Sequence, residues 1–538
     1  MVRAAAQIFS LSSLLLLAAT FIEQAAAHGS LLDEGCRSAT KLAKRQAGGI
    51  TATSGEGSGS VTSGGAAAAK YSCDASQCQL PDCHCADTNP PGGLDPKDVP
   101  QFITLTADDA IQSYTLDAVN SLIGSRKNPN GCSPKMTYFT SLSYTNYSMV
   151  TEWYVAGNEI ADHTMTHVGS PPDTEVSGNL VALNALAGIP YKSIQGFRAP
   201  FLNYTRETLE LLAKLNFTYD SSASSGVRAT DPNSDAFWPY TLDNGMANDC
   251  ESVENICGGE PKLPGMWEIP MYATFDPSSA NGAHLMDPWL EGEPDDVLNW
   301  MKDTFNDHYN GKKAPFGMYS HPIHIAANYP GLKDPVGTVQ MLNEFLDWAT
   351  DGKDDVWLVS NEQLLAWMKN PVKASELNTL DEFKCTTPKV DAKICNGMPA
   401  NEAGLLEHCI SDTAGDPLNN SPFYTCYGCP TTTPSPDQPN PPQKNNDGSV
   451  RHRISASCDT PFWDPIAGKC LNTGFSDSTR GISAVVADQG GTNTNGSASG
   501  PATQGDGFES FNSARKAMSV VGNAVLLSAG LVALAALA

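Results

Sequence analysis

The sequence predicts an α/β protein with a mostly parallel sheet, and three observations carry that expectation. Short apolar runs at 102–105, 136–139 and 356–359 have the length and composition of buried strands. Helix-period segments at 205–215 and 294–306 lie between such runs, the alternation of a parallel sheet covered by helices. Aspartates and histidines fall where several runs stop, and α/β folds place active sites at the carboxyl ends of their strands.

The first run continues through Thr106 and Ala107 to Asp108 and Asp109. Adjacent carboxylates repel and are costly to bury, so a fold that keeps them at a strand tip needs a compensating group such as a metal ion. By itself the pair also reads as a solvated turn or helix cap. His163 and His167 follow another extended stretch, and their spacing of four puts both rings on one side of a helical turn. Alone they read equally as surface or core histidines. Beside an acidic third ligand they complete an Asp-His-His metal triad with one carboxylate to spare as a base, which points to metal-assisted hydrolysis.

Three further motifs fit that chemistry. Residues 196–201 set Arg198 beside a proline turn, where a surface arginine is the plainer reading. The run through Tyr219 ends at Asp220, Ser221 and Ser222, which are also ordinary turn residues. The run 316–320 ends on His321, a candidate general acid with an unperturbed pKa of about 6.5, and His324 is the nearby alternative.

The chain has 538 residues, room for one large domain or two to three smaller ones. Arg3, an apolar run over 8–21 and Ala25-Ala26-Ala27 read as a secretory signal peptide over 1–27. Fifteen cysteines behind such a signal imply disulfides in an oxidising compartment. Lys44-Arg45 reads as a processing step that would remove Cys36 with a propeptide over 28–45, leaving an even number. At the far end, 517–538 is small and apolar. With Gly505 or Asn512 as the attachment residue it fits a GPI signal, so the expected location is the outer leaflet of the plasma membrane or the cell wall. A net charge of −26 excludes the basic footprint that nucleic-acid binding requires.

Between the ends, 46–72 reads as a flexible linker and 73–98 as a Cys-rich lead-in. Residues 99–371 have the texture of one large domain. Residues 372–473 form a Cys-rich region interrupted by prolines, where Cys426 and Cys429 are expected to be disulfide-bonded, and 474–516 reads as a disordered spacer. Sequons stand at Asn146, Asn203, Asn216, Asn419 and Asn495, with Asn216 in an apparent strand.

Taken in order, these motifs resemble the polysaccharide deacetylases with a NodB-type domain, and within them the chitin deacetylases. The resemblance spans about 78–371 and extends to 80–85, 91–94, 128–132, 217–222 and 238–240. It implies a distorted (β/α) barrel and an enzyme that removes N-acetyl groups from GlcNAc units of chitin, giving chitosan and acetate. It implies that Asp109, His163 and His167 bind a divalent metal, most often zinc, and that Asp108 is the general base. His321 would be the acid, Arg198 the partner that keeps Asp108 ionised, and Asp220 the residue that orients His321. The Phe201 backbone N–H would stabilise the oxyanion, and Trp238 and Trp267 would line the acetyl pocket or belong to the core. The chain departs from the family at Ala107, where a phenylalanine is usual, so the aim of the carboxylates could suffer. Two rivals follow. One is a catalytically weak wall protein that binds chitin or chitosan, and the other is a deacetylase of a different acetylated polysaccharide.

Overall fold

A computed structural model describes residues 71–385 except 251, 278–281, 328 and 330–333, and beyond them 407–411, 421–425, 429–430, 432–441, 463–466 and 469–470. The signal peptide, propeptide, spacer and GPI tail, the sequons at Asn419 and Asn495, and Cys426 lie outside the described residues, as does nearly all of the linker.

The chain alternates as its periodicities require. In order come β1 (Gln101–Asp109), α1 (Ser113–Ile123), β2 (Thr137–Thr140), α2 (Tyr147–Val155), β3 (Glu159–Asp162) and α3 (Asp173–Ala187). Then follow β4 (Gly196–Phe197), α4 (Arg206–Lys214), β5 (Tyr219–Asp220), β6 (Ser224–Ser225), β7 (Tyr240–Leu242) and β8 (Leu263–Glu268). After β9 (Met271–Tyr272), β10 (Thr274–Phe275) and β11 (Ala283–His284) come α5 (Pro294–Tyr309), β12 (Phe316–Ser320), α6 (Pro335–Thr350), β13 (Val356–Val359) and α7 (Asn361–Lys369). The helix ends obey local chemistry. Thr205 caps α4 in a reciprocal box with Thr208, and Asp334 caps α6 by accepting from Gly337 N–H at 2.8 Å.

The main sheet runs β12-β1-β2-β3-β4-β5-β8-β7, parallel except for the β7–β8 pair. β1 is long enough to pair with β13 over Gln101–Thr104 and with β2 over Thr106–Asp109 along one edge, and with β12 along the other. This curled sheet is the distorted barrel expected from the resemblance. Strand alternation divides the core: Ile103, Leu105 and Ala107 join the large cluster with the covering helices, whereas Phe102 joins a second cluster with Phe139, Tyr219, Trp238, Trp267 and Trp367.

The lead-in covers the open edge of the sheet. Thr241 N–H donates to His84 O, and His84 stacks on Trp267, while disulfides Cys73–Cys85 and Cys78–Cys83 hold the segment. Packing continues past 371, because Leu377, Leu380 and Phe383 are buried in the second cluster and Cys385 is bonded to Cys132. A hairpin, β14 (Glu407–Ser411) and β15 (Ser421–Thr425), is stapled by Cys409–Cys429 and buries Phe423 against Tyr147 of α2. Cys429 therefore pairs with Cys409, not with Cys426. No described helix is long and apolar enough to cross a membrane.

Two sequons differ from expectation. Asn216 is exposed at φ +54° in the turn after α4, not in a strand. Asn146 is buried, with its side chain capping α2 through Ser148.

Candidate active site

Asp108 and Asp109 are adjacent in sequence but separate in role. Asp108 is buried with Thr106 on the same strand face, and its Oδ1 accepts from Arg198 Nη1 at 2.8 Å. Arg198 is fully buried, so it is not the surface residue its proline turn would allow. Its Nη1 also donates to Thr106 Oγ1 and its Nε to Ser221 O, and the guanidinium lies 4.2 Å from the centre of the Phe139 ring. Burial pushes the Asp108 carboxyl up, against the opposing pull of Arg198 and His321.

Asp109 ends β1 at φ +82°, a conformation uncommon outside glycine, and its carboxyl meets the loop after β3. Its Oδ1 is 3.0 Å from His167 Nε2 and 3.6 Å from His163 Nε2. Burial alone would raise this carboxyl, but His167, His321 and His163 hold it below the usual carboxylate range. The two histidines do not occupy a helical turn as their spacing suggested. β3 stops at Asp162, and the loop bends through left-handed Thr164 (φ +59°) and His167 (φ +58°). Asp162 accepts from Thr164 N–H, and Glu175 of α3 accepts from Thr166 N–H, each at 2.8 Å, so the loop is pinned from both sides. The rings still converge, with centres 5.0 Å apart.

His163 Nδ1 lies 2.8 Å from Arg198 O, and since a carbonyl can only accept, Nδ1 carries the proton and Nε2 presents its lone pair. Burial, with His167 nearby, drives the His163 pKa well below its ordinary value, which favours the neutral ligand form. Asp109 Oδ1, His163 Nε2 and His167 Nε2 are buried without a hydrogen-bond partner and lie within 4.8 Å of one another. Three orphaned oxygen and nitrogen donors at that separation fit a divalent metal ion. Asp108 Oδ2 is a fourth orphan, 3.9 Å from His163 Nε2.

On the other flank His321 follows β12 and is buried. Its orienting partner is Asp287, not Asp220: His321 Nδ1 donates to Asp287 Oδ2 at 2.5 Å and His321 N–H to Oδ1 at 3.0 Å. His324 Nδ1 donates to the same Oδ2 at 2.8 Å, so the alternative histidine is part of the same unit. Burial would lower the His321 pKa, but the Asp287 carboxylate raises it to about 9, while the two imidazoles hold Asp287 down at about 2. His321 Nε2 is left buried and without a partner.

Asp220 serves the opposite flank. Its carboxyl accepts from Ser222 Oγ at 2.7 Å and Ser222 N–H at 3.1 Å, and Ser222 Oγ accepts from Ala199 N–H at 2.9 Å. It thus braces the turn that carries Arg198 and Phe201. Phe201 stands at φ +60° with its ring 4.8 Å from that of His167. Burial lifts Asp220 to about 6 and, with Asp220 beside it, Glu268 well above the carboxylate range, so Glu268 keeps the proton. Trp238 and Trp267 are fully buried core residues. Ala107 is also fully buried, on the strand face opposite Asp108, and the Asp108–Arg198 contact is intact without a phenylalanine there.

Asp287 is the residue that motif reading missed. Asp287 belongs to none of the motifs read from the sequence, and the one usable signal is chemical: a buried acid histidine needs an orienting carboxylate.

The protein is a carbohydrate deacetylase of the polysaccharide deacetylase class, an assignment its relatives carry. Chitin deacetylase 8 of Bombyx mori is 30% identical over 334 residues, 59% of this chain and 83% of the relative. Chitin deacetylase 1 of Bombyx mori is 30% identical over 394 residues, 67% of each. The chain belongs to the chitin deacetylase family. A solved family 4 carbohydrate esterase from Streptomyces lividans is 14% identical over 48% of this chain and 91% of its own, but its TM-score of 0.27 is too low to bear on the fold. No family model matches the chain.

Proposed function

We propose that the protein hydrolyses the N-acetyl amide of GlcNAc residues in chitin or its oligomers, releasing acetate and leaving chitosan. The observation that carries this reading is the convergence of three orphaned ligand atoms, with an orphaned Asp108 oxygen 3.9 Å from one of them, at the ends of β1 and β3. Asp109, His163 and His167 would hold the metal, zinc being the expected ion, which supplies Lewis acidity toward the amide carbonyl and acidifies water. Asp108 takes the proton of the attacking water through Oδ2, while Arg198 holds Oδ1 and the side chain's orientation. His321, charged at neutral pH, gives its Nε2 proton to the departing amine, and Asp287 steadies the ring. The Phe201 N–H contributes to the oxyanion site. Asp220 acts indirectly, through Ser222, on the turn that presents Arg198 and Phe201.

The relatives' names favour chitin over other acetylated glycans. We further propose that 99–371 is the catalytic domain of a secreted protein held at the cell surface by a GPI anchor. The five disulfides among the described residues support an oxidising destination. The test is acetate release from chito-oligomers with and without added zinc, against Asp108→Asn. Metal-dependent release that falls by about 10²–10⁴-fold in the variant is expected. Oligomer binding without release would instead favour the non-catalytic wall protein.

A further inference from the structure

Four buried carboxyl groups accept backbone N–H groups of the segment that follows β5. Asp220 takes Ser222 N–H, Glu268 takes Ala223 N–H, Asp249 takes Ser224 N–H, and Asp235 takes Gly226 and Val227 N–H. Three of the four have a donor on each oxygen. Ser222 supplies both for Asp220, Ser224 and Tyr204 fill Asp249, and Ser225, Gly226 and Val227 fill Asp235. Glu268 is the exception: Oε1 accepts from Ala223 N–H at 3.2 Å, while Oε2 is buried with no donor facing it.

Glu268 also lies against another carboxyl. β5 and β8 pair in parallel with Asp220 opposite Glu268, and the two side chains are hydrogen-bonded to each other. A bond between two carboxyl groups needs a proton on one of them, because ionised carboxylates only accept. Both Asp220 oxygens already receive hydrogens from Ser222, at 2.7 and 3.1 Å, so the proton sits on the donor-free Glu268 Oε2. Arg198, the cation that faces Asp220, is already paired with Asp108.

That proton starts a chain with one direction. Asp220 Oδ1 accepts from Ser222 Oγ, which in turn accepts from Ala199 N–H at 2.9 Å. Ala199 opens the turn that carries Phe201, and its carbonyl accepts from Leu202 N–H at 2.9 Å. Phe201 holds a φ of +60° inside that turn, a conformation that needs its surroundings fixed.

We infer that Glu268 is a positioning residue, a neutral carboxylic acid whose Oε2–H donates to Asp220 and so fixes, through Ser222 and Ala199, the turn that presents Arg198 and Phe201. A buried acid kept neutral is a donor that an ionised carboxylate cannot be. The inference rests on the proposed reading of the site and extends it to the residue that holds Asp220.

The experiment compares the full-length protein with Glu268→Gln and Glu268→Leu by infrared spectroscopy at neutral pH and by amide hydrogen exchange. The wild type is expected to show a carboxylic-acid C=O band that Glu268→Gln lacks. Glu268→Leu removes the donor, and exchange over 197–203 should rise about tenfold; Glu268→Gln, which keeps an N–H donor, should restore protection there. Spectra without that difference would overturn the inference, and they decide alone if the leucine variant does not fold. Faster exchange confined to 221–227 would also overturn it, since Glu268 would then serve only Ala223. In acetate release, Glu268→Leu is expected to lower kcat about tenfold with KM little changed, and an unaltered kcat would remove the positioning role. Infrared and exchange need no turnover, so a wild type that releases no acetate would sink the deacetylase reading and leave the proton on Glu268 to be judged by them.

Discussion

Two units in this protein are made from the same three side chains, one aspartate and two histidines, and they do opposite things. In Asp109–His163–His167 the imidazoles present Nε2 to the carboxylate, and the three facing atoms have no hydrogen-bond partner. In Asp287–His321–His324 both imidazoles donate through Nδ1 to one carboxylate oxygen, at 2.5 and 2.8 Å, so that the carboxylate is satisfied. The deciding difference is where Nδ1 goes. His163 spends it on a backbone carbonyl and His321 on a carboxylate. With no carboxylate on its Nδ1 to oppose it, burial, with His167 nearby, pushes the first ring's pKa well below the ordinary value, as a ligand needs. The second ring is raised to about 9, as an acid needs. Composition and spacing hardly distinguish the units, whereas the partner of one nitrogen does.

The comparison breaks most severely if the first unit is emptied. His163→Ala or Asp109→Asn is expected to abolish tight zinc binding and, with it, acetate release, as read by metal content after dialysis and by turnover. A variant that keeps both would remove the ligand assignment.

The second unit is sharpened by pH. An acid with a pKa of about 9 is protonated below that value, so activity should fall as pH rises through about 9. Asp287→Asn removes the charge that outweighs burial, and the ring's pKa then drops. The alkaline limb of the profile should move to lower pH, with a loss of about 10- to 100-fold at neutral pH. Asp220→Asn should slow the enzyme without moving that limb, because its contacts run to Ser222 and Ala199. A limb that moves with Asp220 and not with Asp287 would reverse the assignment. The same pair links to stability: the contribution of His321 is fully present below its unfolded pKa of about 6.5 and is lost as pH rises through about 9.

The smallest effect concerns Ala107. It lies on the strand face away from Asp108, whose aim is set by Arg198. Ala107→Phe should therefore change turnover by less than about tenfold, or 1.4 kcal/mol of barrier. A large gain would show instead that the natural alanine weakens the site.

Local rules were enough for much of the molecule. The apolar runs became β1, β2 and β13, the Thr205 and Asp334 caps started their helices, and Asp108, Asp109 and His321 stand at or just past strand ends. Those features depend on alternation and on backbone groups a few positions away, which a sequence displays directly. Three features were settled by contacts distant in sequence. The His163–His167 loop looked helical because its spacing satisfied a helix, yet it bends in left-handed steps, with the His163 ring held by the Arg198 carbonyl 35 positions away. Asp220 and Asp287 both stand beside small or turn-forming residues, and only packing decides that Asp287 faces His321, 34 positions away. The hairpin at 407–425 lies beyond the expected domain but folds back onto α2, because Phe423 and Cys409 find their burial there. The sequence by itself brought Asp108, Asp109, Asp220 and His321 to strand ends, because apolar runs and the residues that stop them are read directly from the chain. The tertiary structure decided which nitrogen of each histidine is free, because that depends on a hydrogen-bond partner brought close only by folding.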